Sequence, residues 1–321
     1  MLRAAVSRLL ERGLDAGPAG CALEALWART ARPARPLTTP RPALCVAGAT
    51  LGGSGATPVA VAMARVLAAA GATVALVGHA YRARPRRARW VRPDDPLHEV
   101  GDEALVAARE LAGVAHVAVG PTRQSALDLA SARADVVVLD GVLALASPRA
   151  PMRALLVVDG ERPWGSGRLP PCGDLRAPVS TLLAVADHVL VLGASEEAFA
   201  LPTPVPWSPV PRELRVLGAG GERAVADLAG ARVGLATCLA RPERLVRGLH
   251  REGVAIVAHA RGADHGPAPR FPGEPSPPFD GWLATEKCAL HLEKDPAWRS
   301  VPRLCLRQSL AVSGAWARGL A

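Results

Sequence analysis

Lysine is almost missing from this sequence. Only Lys287 and Lys294 break a set of 38 basic residues that is otherwise all arginine, so no lysine precedes residue 287. Aromatic residues are also scarce. Three Phe, one Tyr and seven Trp among 321 residues are too few for the stacking platforms of single-strand nucleic-acid binders. The net charge of +9 therefore reads as a solvated basic surface, and no nucleic-acid partner is expected. Uninterrupted apolar runs are lacking too. Residues 43 to 64 carry no charge, but Gly48, Gly52, Gly53, Gly55 and Pro58 interrupt them, whereas a membrane span needs about 20 apolar residues. The six cysteines (Cys21, Cys45, Cys172, Cys238, Cys288, Cys305) form no C-x-x-C pair and have no histidine at metal-ligand spacing, which argues against a zinc site or a disulfide framework. The opening MLRAAVSRLLER lacks the apolar stretch and cleavage site of a secretory signal, so a cytoplasmic location is expected.

What the sequence does have is material for a core: half of its residues are hydrophobic and 21% are charged. Leu2, Val6, Leu9 and Leu10 fall on one helical face, with Arg3, Arg8, Glu11 and Arg12 away from it. The pattern suits either a helix packed on the protein or one lying on a membrane surface. A second helix is expected around Leu23, Leu26 and Trp27, ended by the Pro/Arg-rich ARPARPLTTPRP. Strand-like runs then alternate with helical stretches: ALCVAG, ATVALVG (72–78), HVAVG (116–120), DVVVLDG (135–141), ALLVVDG (154–160) and HVLVLG (188–193). This alternation predicts a parallel α/β sheet. Five prolines between 194 and 213 read as a linker. Beyond it RVGLATC, GVAIVAHA and GWLATEK repeat the alternation more briefly. The expected organisation is an N-terminal helical segment over 1–42, a P-loop-type α/β domain over 43–213 and a smaller α/β domain over 214–321.

The most informative segment is Thr50-Leu51-Gly52-Gly53-Ser54-Gly55-Ala56-Thr57-Pro58, placed between a predicted strand and a predicted helix. Clustered glycines let backbone N–H groups turn toward phosphate oxygens, the helix N-terminus adds favourable partial charge, and Thr57 would place a hydroxyl on Mg²⁺. Two other readings compete. Gly53-x-Gly55 begins a dinucleotide fingerprint, although Pro58 takes the third glycine's place and the second strand ends in Val77-Gly78 without an acid for the ribose. A glycine-rich turn that binds nothing is the other. Asp140, ending an apolar strand, is placed like a Walker-B carboxylate. Asp102, before EALVAARE, reads on its own as an acid stabilising a helix dipole.

Taken in order, these motifs resemble one family. LGGSGATP, Gly101-Asp102-Glu103, Asp140-Gly141, VVDGERPWGSGRLPPCGDLRAP (157–178), RPER (241–244), Asp264-His265 and Thr285-Glu286-Lys287 are similar to successive motifs of the tetraacyldisaccharide 4'-kinases of the lipid A pathway. The resemblance implies an ATP- and Mg²⁺-dependent kinase. It would phosphorylate the 4'-hydroxyl of tetraacyldisaccharide 1-phosphate, a lipid A precursor, at the cytoplasmic face of the inner membrane. It further implies that Thr50, Gly52, Gly53, Ser54, Gly55, Ala56 and Thr57 hold the nucleotide and that Thr57 and Asp140 hold the metal. Asp102 would be the base, with His265 as its dyad partner, while Glu103 and Thr285 to Lys287 line the site. Arg82, Arg84, Arg86, Arg87, Arg89 and Arg92 could face anionic lipid headgroups or the substrate phosphate.

The departures fall at the chemistry. Ala56 stands where the family has its phosphate-loop lysine, Leu139 where it has the first of two acids, Leu143-Ala144 where it has Gln-His, and Cys288 where it has Asp. Deleting one comparable preorganised donor costs ~10² to 10³ in rate. No arginine lies within the loop, so a replacement cation would have to arrive from the Arg82–Arg92 stretch or from another chain. A second hypothesis follows, that of a non-catalytic relative binding nucleotide or lipid A precursor as a regulator or scaffold.

Overall fold

The computed structural model describes residues 17–30, 36–143, 152–193, 200–218, 221–239, 241–262, 264, 269 and 279–314. The expected helix carrying Leu2, Val6, Leu9 and Leu10 lies outside these residues. The helix expected around Leu23 is present as Gly17–Thr30. The chain divides into two compact units, one within Val6–Pro211 and rejoined by the chain from Leu310 onward, the other Arg212–Ser309.

The larger unit is built on an eight-stranded sheet. Its strands are β1 (Ala43–Gly48), β2 (Val74–Val77), β3 (Arg89–Trp90), β4 (His116–Val119), β5 (Val136–Asp140), β6 (Met152–Asp159), β7 (His188–Leu192) and β8 (Trp207–Val210), in the order β3-β4-β2-β5-β1-β6-β7-β8. All pairings are parallel except that of β3 with β4. β1, β2 and β5 are buried along their whole length, the pattern of strands covered on both faces. One face packs Ala43, Cys45, Val77 and Leu139 against Ala126, Leu127 and Ala130 of the Arg123–Ser131 helix. Another layer packs Leu156, Val158, Val189 and Val191 against Leu182 and Leu183 of the Val179–Val185 helix. Each Val or Leu side chain fully buried in this way contributes roughly 1.5–3 kcal/mol before entropy is counted.

The proline-rich stretch differs from the linker reading: its described end forms β8, hydrogen-bonded along β7 with Pro209 opposite Val191. Proline is tolerated there because β8 is the last strand of the sheet and needs no donor on its outer side.

The smaller unit holds a six-stranded sheet, β9 (Arg212–Gly218), β10 (Gly221–Ala224), β11 (Arg232–Thr237), β12 (Ala255–Arg261), β13 (Gly281–Thr285) and β14 (Arg303–Leu310), ordered β10-β9-β14-β13-β11-β12. Its core gathers Val216, Val233, Leu235, Leu249, Leu283 and Leu306. Among the described residues no helix is long and apolar enough to cross a membrane.

In the larger sheet β1 is flanked by β5 on one side and β6 on the other. The chain's progression across the sheet reverses there, and in open α/β sheets ligands bind beyond the carboxyl ends of strands at such a point.

Candidate functional site

The turn Thr50–Thr57 leaves the carboxyl end of β1 and enters the Ala56–Ala69 helix. Gly53 and Gly55 have φ of 73° and 83°, backbone that residues with a Cβ adopt only under strain. Gly55 is the helix N-cap, makes no side-chain cap, and is followed by no acid in the first turn. The leading N–H groups of the helix thus lack intrahelical acceptors and carry the positive end of its dipole, which suits an anion. Thr50 Oγ1 donates to the Gly52 carbonyl at 2.7 Å and lies 2.6 Å from Ser54 Oγ, which in turn accepts the Thr50 N–H at 3.2 Å. These two buried hydroxyls shape the turn from beneath.

A distant segment braces the turn from the side. The Leu51 N–H donates to the Asp174 carbonyl at 2.8 Å, and the Arg176 N–H to the Ala49 carbonyl at 2.8 Å. Arg176 Nε donates to the carbonyl of Gly48 at 3.0 Å. The brace is itself fixed by buried Asp174, whose Oδ1 accepts the Ser166 N–H at 2.8 Å and the Ser166 hydroxyl at 3.0 Å. Gly165, at φ 59°, makes room for this: a Cβ there would lie 2.4 Å from Asp174 Oδ1 and 2.6 Å from Thr50 Cγ2.

Asp140 ends β5 opposite Val46 of β1, and the Gly141 N–H donates to the Val46 carbonyl at 2.8 Å. This register sets the buried carboxyl beside the turn, within reach of the Thr57 side chain. Burial, and after it the neighbouring Glu103 charge, push the Asp140 carboxyl up to about 7, while Arg123, the Thr57 side chain and Arg176 pull the other way. A hydroxyl and a carboxylate beside the glycine turn are the oxygen donors that suit a hard cation such as Mg²⁺. Among the described residues no group of three or more His, Cys, Asp or Glu gathers as a protein-only metal cage.

Asp102, 4% exposed, opens the Asp102–Glu110 helix, and its Oδ1 accepts the Glu103 N–H at 2.8 Å. This is the helix-end role that its sequence position suggests. The charge of the adjacent Glu103 is felt at Asp140. His265 lies outside the described residues. In the smaller unit its neighbour Asp264 accepts from Lys287 Nζ at 2.8 Å, and Thr285 Oγ1 caps the Glu286–Leu292 helix by accepting the Cys288 N–H at 3.3 Å. In RPER, Arg244 is pushed down to about 10, first by burial and then by Arg247.

The altered family positions have local explanations. Leu139 is fully buried in the apolar face that holds Cys45 and Val77, and Leu143 is buried beside Leu156. Ala144 lies outside the described residues. Of the Arg82–Arg92 stretch, Arg89 is engaged by Asp95 at 2.5 Å and by Glu99, and Arg92 by Asp94 at 3.4 Å, while Arg82, Arg84, Arg86 and Arg87 are exposed. The cations felt at Asp140 are instead Arg123 and Arg176, two residues that the sequence reading did not single out. Only the absence of lysine hinted that arginines had to be sought there.

Comparison with known proteins identifies the relatives of this chain. The family model described as LpxK, tetraacyldisaccharide-1-P 4'-kinase, matches residues 22–293. The tetraacyldisaccharide 4'-kinase of Nitrobacter winogradskyi is 35% identical over 233 residues, covering 70% of this chain and 66% of that protein. The one from Methylobacterium radiotolerans is 36% identical over 261 residues, covering 80% of this chain and 76% of its own. The chain thus spans about two thirds to three quarters of the length of these relatives. A crystal structure of "apo" form LpxK from Aquifex aeolicus in complex with ATP superposes with a TM-score of 0.68 at 18% identity, covering 100% of this chain and 98% of that one, a likeness of fold. With motif order, fold and matched span in agreement, the chain belongs to the tetraacyldisaccharide-1-P 4'-kinase family.

Proposed function

We propose that this protein transfers the γ-phosphate of ATP to the 4'-hydroxyl of a tetraacyldisaccharide 1-phosphate, forming lipid IV-A. The observation that carries this reading is the buried Asp140 carboxyl, set by strand register at the end of β5, with the Thr57 side chain bearing on it beside an uncapped glycine turn. A phosphate tail, a metal-binding hydroxyl and a metal-binding carboxylate require that placement. When bound, Mg²⁺ would supply charge neutralisation to the phosphate tail. Thr57 and Asp140 would hold it, and the turn over Thr50–Ala56 would orient the tail through backbone N–H groups. Asp102 accepts the proton of the sugar hydroxyl as the new O–P bond forms and the bond from the γ-phosphorus to the ADP oxygen breaks. The family resemblance assigns His265 to the same step.

Phosphoryl transfer from γ-labelled ATP to the disaccharide 1-phosphate tests the reading on wild type, Asp102→Ala and His265→Ala. Wild-type transfer no greater than the Asp102→Ala background at high enzyme overturns it. The non-catalytic alternative gains no support from the relatives above, both of which carry the kinase name.

The same reading places the protein at an anionic membrane surface. Leu23, Leu26 and Trp27 share one side of the Gly17–Thr30 helix at 48%, 58% and 48% exposure, and Glu24 of that helix is ion-paired to Arg168 at 2.9 Å. An apolar face held beside the brace of the phosphate turn suits an enzyme whose substrate is itself embedded in lipid.

A further inference from the structure

The glycine turn has no cation of its own: Ala56 supplies a methyl group at the start of the helix, and the first lysine in the chain is residue 287. Two arginines come from elsewhere in the same unit, Arg176 to the base of the turn and Arg123 to the carboxyl ends of β2 and β5. Arg176 donates from Nε to the carbonyl of Gly48, the residue that ends β1, and from its backbone N–H to the Ala49 carbonyl. Among the described residues its Nη groups have no hydrogen-bond partner, so the outer fork of the guanidinium is uncommitted. Arg123, first in the Arg123–Ser131 helix, donates from Nη1 to the Val77 carbonyl at 3.2 Å, and its Nη2 lies 3.2 Å from where a Cβ on Gly141 would sit. It therefore passes over the residue that follows Asp140. Each arginine bears on Asp140, and each is disfavoured as a cation first by burial. Retaining two partly desolvated like charges here is costly unless an anion offsets them.

We propose that Arg176, with Arg123 beside it, supplies in this chain the positive charge that a phosphate-loop lysine would give, its Nη fork meeting the β- and γ-phosphate oxygens of ATP. The planar fork matches phosphate geometry, and the Nε bond to Gly48 fixes its base to the turn it serves. Arg123 has its second donor tied to Val77 and reinforces the field from the Asp140 side. This inference rests on the kinase reading, and its test separates the two.

Nucleotide affinity is measured by calorimetry on the full chain, with Mg²⁺-ATP, Mg²⁺-ADP and AMP as probes. Wild type binding none of them would overturn the nucleotide reading, and this inference with it. Given wild-type binding, Arg176→Ala and Arg176→Gln are expected to weaken ATP on the order of 10- to 100-fold, ADP less and AMP hardly at all. Ala56→Lys added to Arg176→Ala is expected to recover most of the ATP affinity while giving a much smaller gain in the wild-type background. Unchanged ATP binding in Arg176→Gln, an equal loss for AMP, or no recovery with Ala56→Lys would each overturn the inference and leave the kinase reading intact. Failure of both Arg176 variants to fold, read by thermal melting, would also count against it, since the side chain would then serve to hold the Gly48 carbonyl.

Discussion

The Thr57 side chain, in the first turn of the helix after the glycine turn, bears on the buried Asp140 carboxyl at the end of a neighbouring strand and opposes its upward shift. Asp140 is buried, so a lost donor is not replaced freely by water. Thr57→Val keeps the shape and removes the hydroxyl. It is expected to lower kcat/KM by ~10² while leaving the melting temperature near wild type, and Thr57→Ser is expected to restore most of the rate. Steady-state kinetics at saturating Mg²⁺ check this, and equal activity of the Val and Ser variants would remove Thr57 from the metal site.

The Asp140 carboxyl also makes a pH prediction for the ligand-free protein. Its folded pKa of about 7 lies above the ordinary 3.8, so between those values the native state binds more protons than the unfolded one. Stability from this group is present below pH 4 and is lost as pH rises through 7. Asp140→Asn lacks that loss. Its melting temperature relative to wild type should rise steadily from pH 4.5 to 7.5, without nucleotide or Mg²⁺, and a flat difference would mean that the carboxyl is not held protonated.

Gly165→Ala tests the brace. The added Cβ would meet Asp174 Oδ1 and Thr50 Cγ2 at less than contact distance, in backbone already at positive φ. A loss of roughly 1–3 kcal/mol is expected, with a raised KM for ATP because the turn loses its side support. Denaturant unfolding and ATP kinetics are the readouts. A variant that is destabilised but has unchanged KM would separate the brace from nucleotide binding.

For the membrane surface, flotation with anionic vesicles compares wild type with the Leu23→Ser, Leu26→Ser, Trp27→Ser combination. Wild type is expected to float and the triple variant to stay largely in the dense fraction. Identical partitioning would exclude this face as the contact.

Much of the larger sheet was legible because its central strands are continuous apolar runs ended by Gly or Asp-Gly, as in VVVLDG. β8, β9 and β14 were not, since WSPV, RELRVLG and RLCLRQSL mix proline or arginine with half-buried positions and lack clear alternation. The turn, Thr57 and Asp140 could be found by their place between elements. Arg123 and Arg176 could not, because a cation that reaches a site by folding from a distant segment leaves no local spacing to read. The cue was a deficit, and a deficit does not say who fills it.

The pairing of Leu51 with Asp174 and of Ala49 with Arg176 ties the geometry of an early turn to the length of a much later segment. An insertion or deletion between Gly165 and Arg176 would shift the frame in which those two contacts align. Natural variants should therefore tolerate substitutions there more readily than changes in residue count, even at positions far from any reacting atom.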